Sequence, residues 1–229
     1  MNIIIRILMA IVSVFALFGG VSFFIGFIQA IKESKSKPTP ETRSIVILGH
    51  LGAGKTSLWN KLQGKPSGEP SGEPKNTTIP VKIPEFQLSL DGKTVTIKCT
   101  NDVGGGNDSV CDNYEIVLKD DDTFIYYLIE YDRIEKYEKD IRAQLQKIKA
   151  ILKSKKIEKY GFKIIFTNFD KTKKITKQEA GERLSRLKLK TLAGLDKFAD
   201  YVDRYDVLNM YEDDDIKSIK NEIINGIKG

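Results

Sequence analysis

The stretch Gly49 to Ser57, GHLGAGKTS, follows the apolar run SIVIL and precedes LWNKLQ. It matches the pattern G-x-x-x-x-G-K-[ST], with Gly49, Gly54, Lys55 and Thr56 at the fixed positions. Ser44 to Leu48 reads as a short buried strand, and Thr56 to Gln63 opens a helix with Leu58 and Leu62 on one face. In that order of strand, loop and helix, glycines let the backbone curl so that successive N–H groups face one anion. The helix N-terminus adds its partial positive charge. The stretch is therefore expected to bind phosphate through Gly49, His50, Gly52, Ala53, Gly54, Lys55, Thr56 and Ser57. Lys55 would reach the β- and γ-phosphates of a nucleotide, and the Thr56 hydroxyl would ligate Mg²⁺. A Gly-rich turn that binds nothing is the alternative for the motif taken alone.

The rest of the 229 residues leaves room for one sizeable domain and an appendage. From Ile7 to Ile31 no charged residue appears. As a helix this segment would measure about 37 Å, against a hydrocarbon core of about 30 Å, which predicts a membrane span. A secretory signal peptide, the competing reading, has a shorter apolar region of about 7–15 residues and a small-x-small cleavage site; no convincing one follows here. Lys32, Lys35 and Lys37 come just after the span, with Arg43 further on, and only Arg6 and the amino terminus before it. The positive-inside tendency places the C-terminal domain in the cytosol, as a single-pass protein of the endoplasmic reticulum membrane if eukaryotic or of the plasma membrane if prokaryotic.

The net charge of +6 is spread over helices in which lysines alternate with acids, the pattern of a solvated surface and not of a nucleic-acid patch. No direct nucleic-acid binding is expected. Cys99 and Cys111 are too few and wrongly spaced for a zinc site, so no metal other than Mg²⁺ is expected, and both read as reduced thiols.

The expected organisation is an anchor over 1–31, a polar Pro-containing linker over 32–43 and a domain over 44–229. Strands are predicted at about 44–48, 81–90, 93–100, 123–130, 162–167 and 205–210, and helices at about 55–63, 136–153, 176–202 and 214–227. This alternation predicts an α/β fold: a mostly parallel six-stranded sheet covered on both faces. The exception is an antiparallel edge, where Asp91-Gly92 joins two strands as a hairpin. Ile141, Leu145, Ile148 and Leu152 form one helical stripe, Ile216, Ile219, Ile223 and Ile227 another, and Thr176 with Glu179 a capping box. The tandem PSGEPSGEP, Pro66 to Pro74, reads as a loop extension.

A Mg²⁺ on the phosphate loop needs a second anchor from a neighbouring strand end. In KCTNDVGGGND, Asp102 is placed to hold a metal-bound water, and Gly104 and Gly105 bring N–H groups that can approach a γ-phosphate. A Gly-rich turn with a capping Asp is the alternative in isolation. The strand FKIIF ends in Thr167-Asn168-Phe169-Asp170. A carboxylate at Asp170 would accept two hydrogen bonds from guanine N1–H and N2–H, donors that adenine lacks on that edge.

GHLGAGKT, the Thr-containing loop KNTTIP, DVGG after a hairpin, and TNFD after a hydrophobic strand occur in the order of the G1 to G4 elements. In this the chain resembles the Ras-like small GTPases, whose fold is that of the P-loop NTPases, and DVGG resembles the Arf branch. With the apolar N-terminus, the layout is similar to the membrane-anchored β subunits of signal recognition particle receptors. The resemblance covers about 44–229 and implies GTP or GDP with Mg²⁺ as ligand. It assigns Thr56, Thr78 (or Thr77) and Asp102 to Mg²⁺, Gly105 to the γ-phosphate, and Thr167, Asn168 and Asp170 to the base, with Asn209 the nearest positional candidate for G5. It also implies a cytosolic protein partner, such as a receptor α-like subunit.

The chain departs from the family at several positions. Gly106 stands where Arf and Ras proteins carry the Gln that orients the attacking water, so intrinsic hydrolysis is expected to be slow. Leu51 adds bulk to the phosphate loop, and Asn168 replaces the usual Lys. Asn107 and Asp108 are speculative substitutes for the missing Gln. His50, the one histidine, either helps position a water or is a packed or solvent-facing loop residue. Two alternatives to a switching GTPase are a structural receptor subunit that holds GTP permanently and a P-loop kinase or ATPase. Against the latter, no Arg-rich lid segment is visible.

Overall fold

The computed structural model describes residues 41–66, 79–106, 113–119, 122–156, 160–168, 170, 173–186 and 205–226. The apolar segment 7–31, Thr77, Thr78, Asn107, Asp108 and Cys111 lie outside the described residues. Among the described residues no helix is long and apolar enough to cross a membrane.

The strands are β1 (Glu41–Gly49), β2 (Val81–Ile83), β3 (Phe86–Leu90), β4 (Lys93–Ile97), β5 (Thr100–Asp102), β6 (Thr123–Glu130), β7 (Tyr160–Asn168) and β8 (Tyr205–Asn209). The helices are α1 (Lys55–Leu62), α2 (Glu138–Ser154), α3 (Lys177–Arg186) and α4 (Asp213–Asn225). Tyr131–Arg133 forms a 3₁₀ turn, and residues 113–117 form a short helical turn. Six strands make one sheet in the order β3-β4-β1-β6-β7-β8. All its pairings are parallel except β3 with β4, the antiparallel edge that the Asp91-Gly92 signal predicts. Both turn residues have positive φ, 50° and 78°, as a tight two-residue hairpin requires.

The one-hairpin reading of 81–90 and 93–100 needs correction. Pro84 supplies no N–H to a ladder, and the first strand breaks there. The leading piece, β2, pairs antiparallel with β5 in a separate two-stranded sheet, with Val81 opposite Asp102. The linker boundary also moves: Glu41, Thr42 and Arg43 already pair with Val95, Thr96 and Ile97. Their polar side chains, exposed or half-buried, hide this strand extension from a hydrophobic pattern.

Period-two alternation sorts the core into two layers. Val46, Leu48, Ile125, Tyr127, Ile129, Phe162, Ile164 and Phe166 face the α2 stripe of Ile141, Leu145, Ile148 and Leu152, together with Ala180 of α3. Ile45, Ile47, Tyr126, Leu128 and Ile165 face Leu58, Trp59 and Leu62 of α1 and Ile216, Ile219 and Ile223 of α4. Helices thus cover both faces. Local signals set their ends: Thr176 N–H donates to Glu179 Oε2 (2.7 Å) and Glu179 N–H to Thr176 Oγ1 (3.2 Å), a reciprocal capping box. Gly226, at φ 79°, closes α4.

Candidate functional site

The chain leaves β1 toward β3 and β4 on one side of the sheet and then crosses to β6, β7 and β8 on the other. In open α/β sheets such a reversal opens a crevice beyond the carboxyl ends of the strands. The loop of residues 49–55 follows the carboxyl end of β1. Asp102, Glu130, Thr167, Asn168 and Asn209 stand at the carboxyl ends of β5, β6, β7 and β8.

The loop needs its glycines. Gly49 has φ 142°, and a Cβ there would lie 2.3 Å from the Leu128 carbonyl oxygen on β6. Gly52 and Gly54 have φ 82° and 89°, and Gly54 is the N-cap of α1, with no side-chain cap on that helix end. Ala53 N–H donates to the His50 carbonyl (3.2 Å), closing the loop on itself.

Lys55 is buried, and its ammonium donates to the Gly49 and His50 carbonyls, each at 3.0 Å. Burial pulls its pKa down from 10.5 to about 8, with nearby Asp102 opposing the shift. The Thr56 hydroxyl donates to Asp102 Oδ2 at 2.5 Å. Asp102 is 2 % exposed, its second oxygen, Oδ1, is buried with no hydrogen-bond partner, and burial raises its carboxyl above the ordinary range. The carboxylate oxygens of Asp102, one of them buried and unpaired, and the Thr56 hydroxyl are oxygen ligands of the kind a hard cation takes, while the Lys55 ammonium can serve only an anion.

His50 is fully buried. Its Nδ1–H donates to the Leu51 carbonyl (2.8 Å), its Nε2 accepts from Glu130 N–H (2.9 Å), and its ring stacks on Tyr137 at 4.6 Å. With both nitrogens engaged the ring is neutral, and burial lowers its pKa to about 4. Of the two readings of His50, packing is the one observed: the side chain joins the loop to the end of β6 and the start of α2.

Gly105 lies directly on the loop, where a Cβ would stand 2.5 Å from the His50 carbonyl carbon and 2.6 Å from the Gly49 oxygen. The Thr167 hydroxyl donates to the Ala53 carbonyl (3.0 Å), so this residue clamps β7 to the loop. Asn168 is buried; its Nδ2 donates to the Asp170 and Lys173 carbonyls (3.2 and 2.6 Å), and its Oδ1 accepts from Asp170 N–H (3.0 Å). It shapes the turn that carries Asp170, whose side chain is exposed. Asn209 likewise serves its own turn: Oδ1 accepts from Tyr211 N–H (3.0 Å), and Asn209 N–H donates to Asp215 Oδ2 (2.7 Å).

Gln144 on α2 is a site residue that motif reading does not find. It is 1 % exposed, donates to the Gly105 carbonyl and accepts from the hydroxyls of Tyr114 and Tyr127. The available signal is a polar residue on the stripe of Ile141, Leu145 and Ile148.

The chain matches no protein-family model and no curated relative.

Proposed function

We propose that this chain is a membrane-anchored, Arf-like GTP-binding protein with a Ras-type P-loop fold, tethered through residues 7–31, whose cytosolic domain recruits or regulates a protein partner. The observation that carries the reading is the Thr56–Asp102 pair beside buried Lys55, with Asp102 Oδ1 unpaired. The reversal of strand order, with Asp102, Thr167, Asn168 and Asn209 on strand ends, supports it further.

In this reading Thr56 and Asp102 hold Mg²⁺, with Thr78 of the preceding loop, and bound Mg²⁺ supplies charge neutralisation at the β- and γ-phosphates. Lys55 turns its ammonium from the loop carbonyls toward the phosphates. Gly52 and Gly54 present backbone N–H groups, Ala53 N–H would turn to the phosphates from the His50 carbonyl, and the uncapped N-terminus of α1 faces the same anion. Asp170 takes guanine from the turn that Asn168 braces. Gly106 brings no side chain to orient water, so turnover by the chain alone is slow and a partner supplies the missing group. The same glycine favours a second reading, a receptor subunit that holds GTP as a structural ligand. Intact GTP co-purifying with the chain would select it.

The deciding experiment titrates GTP, GDP and ATP, each with Mg²⁺, onto the full chain in detergent micelles. Guanine-selective binding that is lost in Asp170→Ala is expected. No binding, or adenine-selective binding, overturns the proposal.

A further inference from the structure

We propose that Gln144 is the positioning residue that sets the preference for a nucleoside triphosphate over a diphosphate, by holding the segment 103–106 on the phosphate loop. This rests on the nucleotide reading above.

The Gln144 amide is held at both ends. Gln144 Oε1 accepts from Tyr127 OH at 2.9 Å and Tyr114 OH at 3.1 Å. The Gly105 carbonyl, 3.0 Å from Nε2, can only accept, so a flipped amide would set oxygen against oxygen there; Nε2 must face Gly105, and Oε1 is left to the two tyrosine hydroxyls. All three polar side chains are essentially excluded from water. A buried network of this kind favours one arrangement, because displacing Gly105 takes away the acceptor to which Nε2 donates.

Its reach extends to the phosphate loop. Gly105, the residue Gln144 holds, lies within 2.6 Å, at its absent Cβ, of the Gly49 and His50 carbonyl oxygens. One side chain on α2 therefore holds the glycine that lies across the opening of the phosphate loop. The second carrier of the network, the 113–117 turn, is itself held on α2: Lys147 bonds Glu115 Oε1 at 3.2 Å, and Lys155 donates to the Glu115 carbonyl at 2.6 Å.

A diphosphate is served by the loop alone, whereas the third phosphate is the group that residues 103–106 would reach. Releasing those residues therefore weakens the triphosphate selectively. A Gln144 that merely filled the core would weaken both nucleotides alike.

The test compares the full chain in detergent micelles with Gln144→Leu and Gln144→Met, which keep the bulk and lack the N–H donor. Expected is GDP affinity within two-fold of the unmodified chain and GTP affinity lowered about ten-fold, the scale of one hydrogen bond. Tyr127→Phe, which leaves the Gly105 contact in place, is expected to keep the ratio within about two-fold. An unchanged GTP-to-GDP ratio in the Gln144 variants, or equal weakening of both, overturns the proposal while leaving the nucleotide reading intact. Failure of the unmodified chain to bind either nucleotide overturns both. Should the variants not fold, hydrogen exchange of the unmodified chain decides: residues 103–106 are expected to exchange more slowly with GTP than with GDP, and equal rates overturn the proposal.

Discussion

Thr56 and Asp102, 46 residues apart in sequence, meet in a 2.5 Å hydrogen bond from the hydroxyl to Oδ2. The contact spends one carboxylate oxygen and leaves the other, Oδ1, buried and unpaired. Burial penalises this carboxylate, so the unpaired oxygen is a cost to the fold that a bound cation would offset. The relationship therefore separates the requirements of folding from those of the site.

Asp102→Asn is expected to change the stability of the nucleotide-free protein by no more than about 1 kcal/mol, because relief of the buried carboxylate is offset by loss of the charge that stabilises the Lys55 ammonium. The substitution removes a buried charge while keeping an oxygen for Thr56 to donate to. In the nucleotide reading Mg²⁺ and GTP raise the melting temperature of the unmodified chain, and the same change is expected to abolish that rise. Melting curves with and without Mg²⁺ and GTP read both effects. A destabilised protein that still responds to Mg²⁺ would contradict the assignment of Asp102.

His50 makes stability depend on pH with a determinate sign. Burial depresses its folded pKa to about 4 from an ordinary 6.5, so the unfolded chain takes up the proton first as pH falls. Its contribution is fully present above pH 6.5 and is lost as pH falls toward 4, with a limiting magnitude on the order of 3 kcal/mol. His50→Phe keeps a ring against Tyr137 but leaves Glu130 N–H and the Leu51 carbonyl unpaired, costing about 2 kcal/mol at pH 7. Urea midpoints at pH 7 and pH 5 should fall for the unmodified chain and fall less for the variant.

The loop glycines differ in what they tolerate. Gly49→Ala places a Cβ 2.3 Å from the Leu128 carbonyl oxygen at φ 142°, and neither backbone can yield without breaking the pairing of β1 with β6. At Gly64, φ 68°, nothing lies within 4 Å of the added carbon. Gly64→Ala should therefore cost only the left-handed backbone term, about 1 kcal/mol, and Gly49→Ala at least about 3 kcal/mol. Denaturant unfolding of the two variants measures the difference.

Sequence reading went furthest where a single local signal decides the outcome. The strand–loop–helix around Gly49, the Asp91-Gly92 hairpin, the Thr176–Glu179 cap and the α2 stripe each depend on residues close in the chain. Legibility ended where distant segments meet. Pro84 was visible, yet nothing local revealed that the strand it interrupts would pair with Thr100–Asp102 instead of continuing its hairpin. Gln144 gave only one cue, a polar residue on an apolar face, and its partners Gly105, Tyr114 and Tyr127 come from three separate elements. The resemblance assigns Thr167 and Asn168 to a base; in the structure Thr167 donates to the Ala53 carbonyl and Asn168 to the Asp170 and Lys173 carbonyls.

That difference yields the most discriminating substitution in the β7 motif. Thr167→Val removes the hydroxyl that donates to the buried Ala53 carbonyl at 3.0 Å, leaving that carbonyl short of a partner at a cost of about 1–3 kcal/mol. Ala53 belongs to the phosphate loop, so a residue acting through it should weaken GTP, GDP and ATP by similar factors and leave their ranking alone. Asp170, exposed on the turn braced by Asn168, is expected to act in the opposite way: Asp170→Ala lowers affinity for GTP and GDP and spares ATP. Competition titrations of the three nucleotides against both variants separate the roles. Loss of guanine preference in Thr167→Val would return that residue to the base, and a uniform loss in Asp170→Ala would remove Asp170 from it.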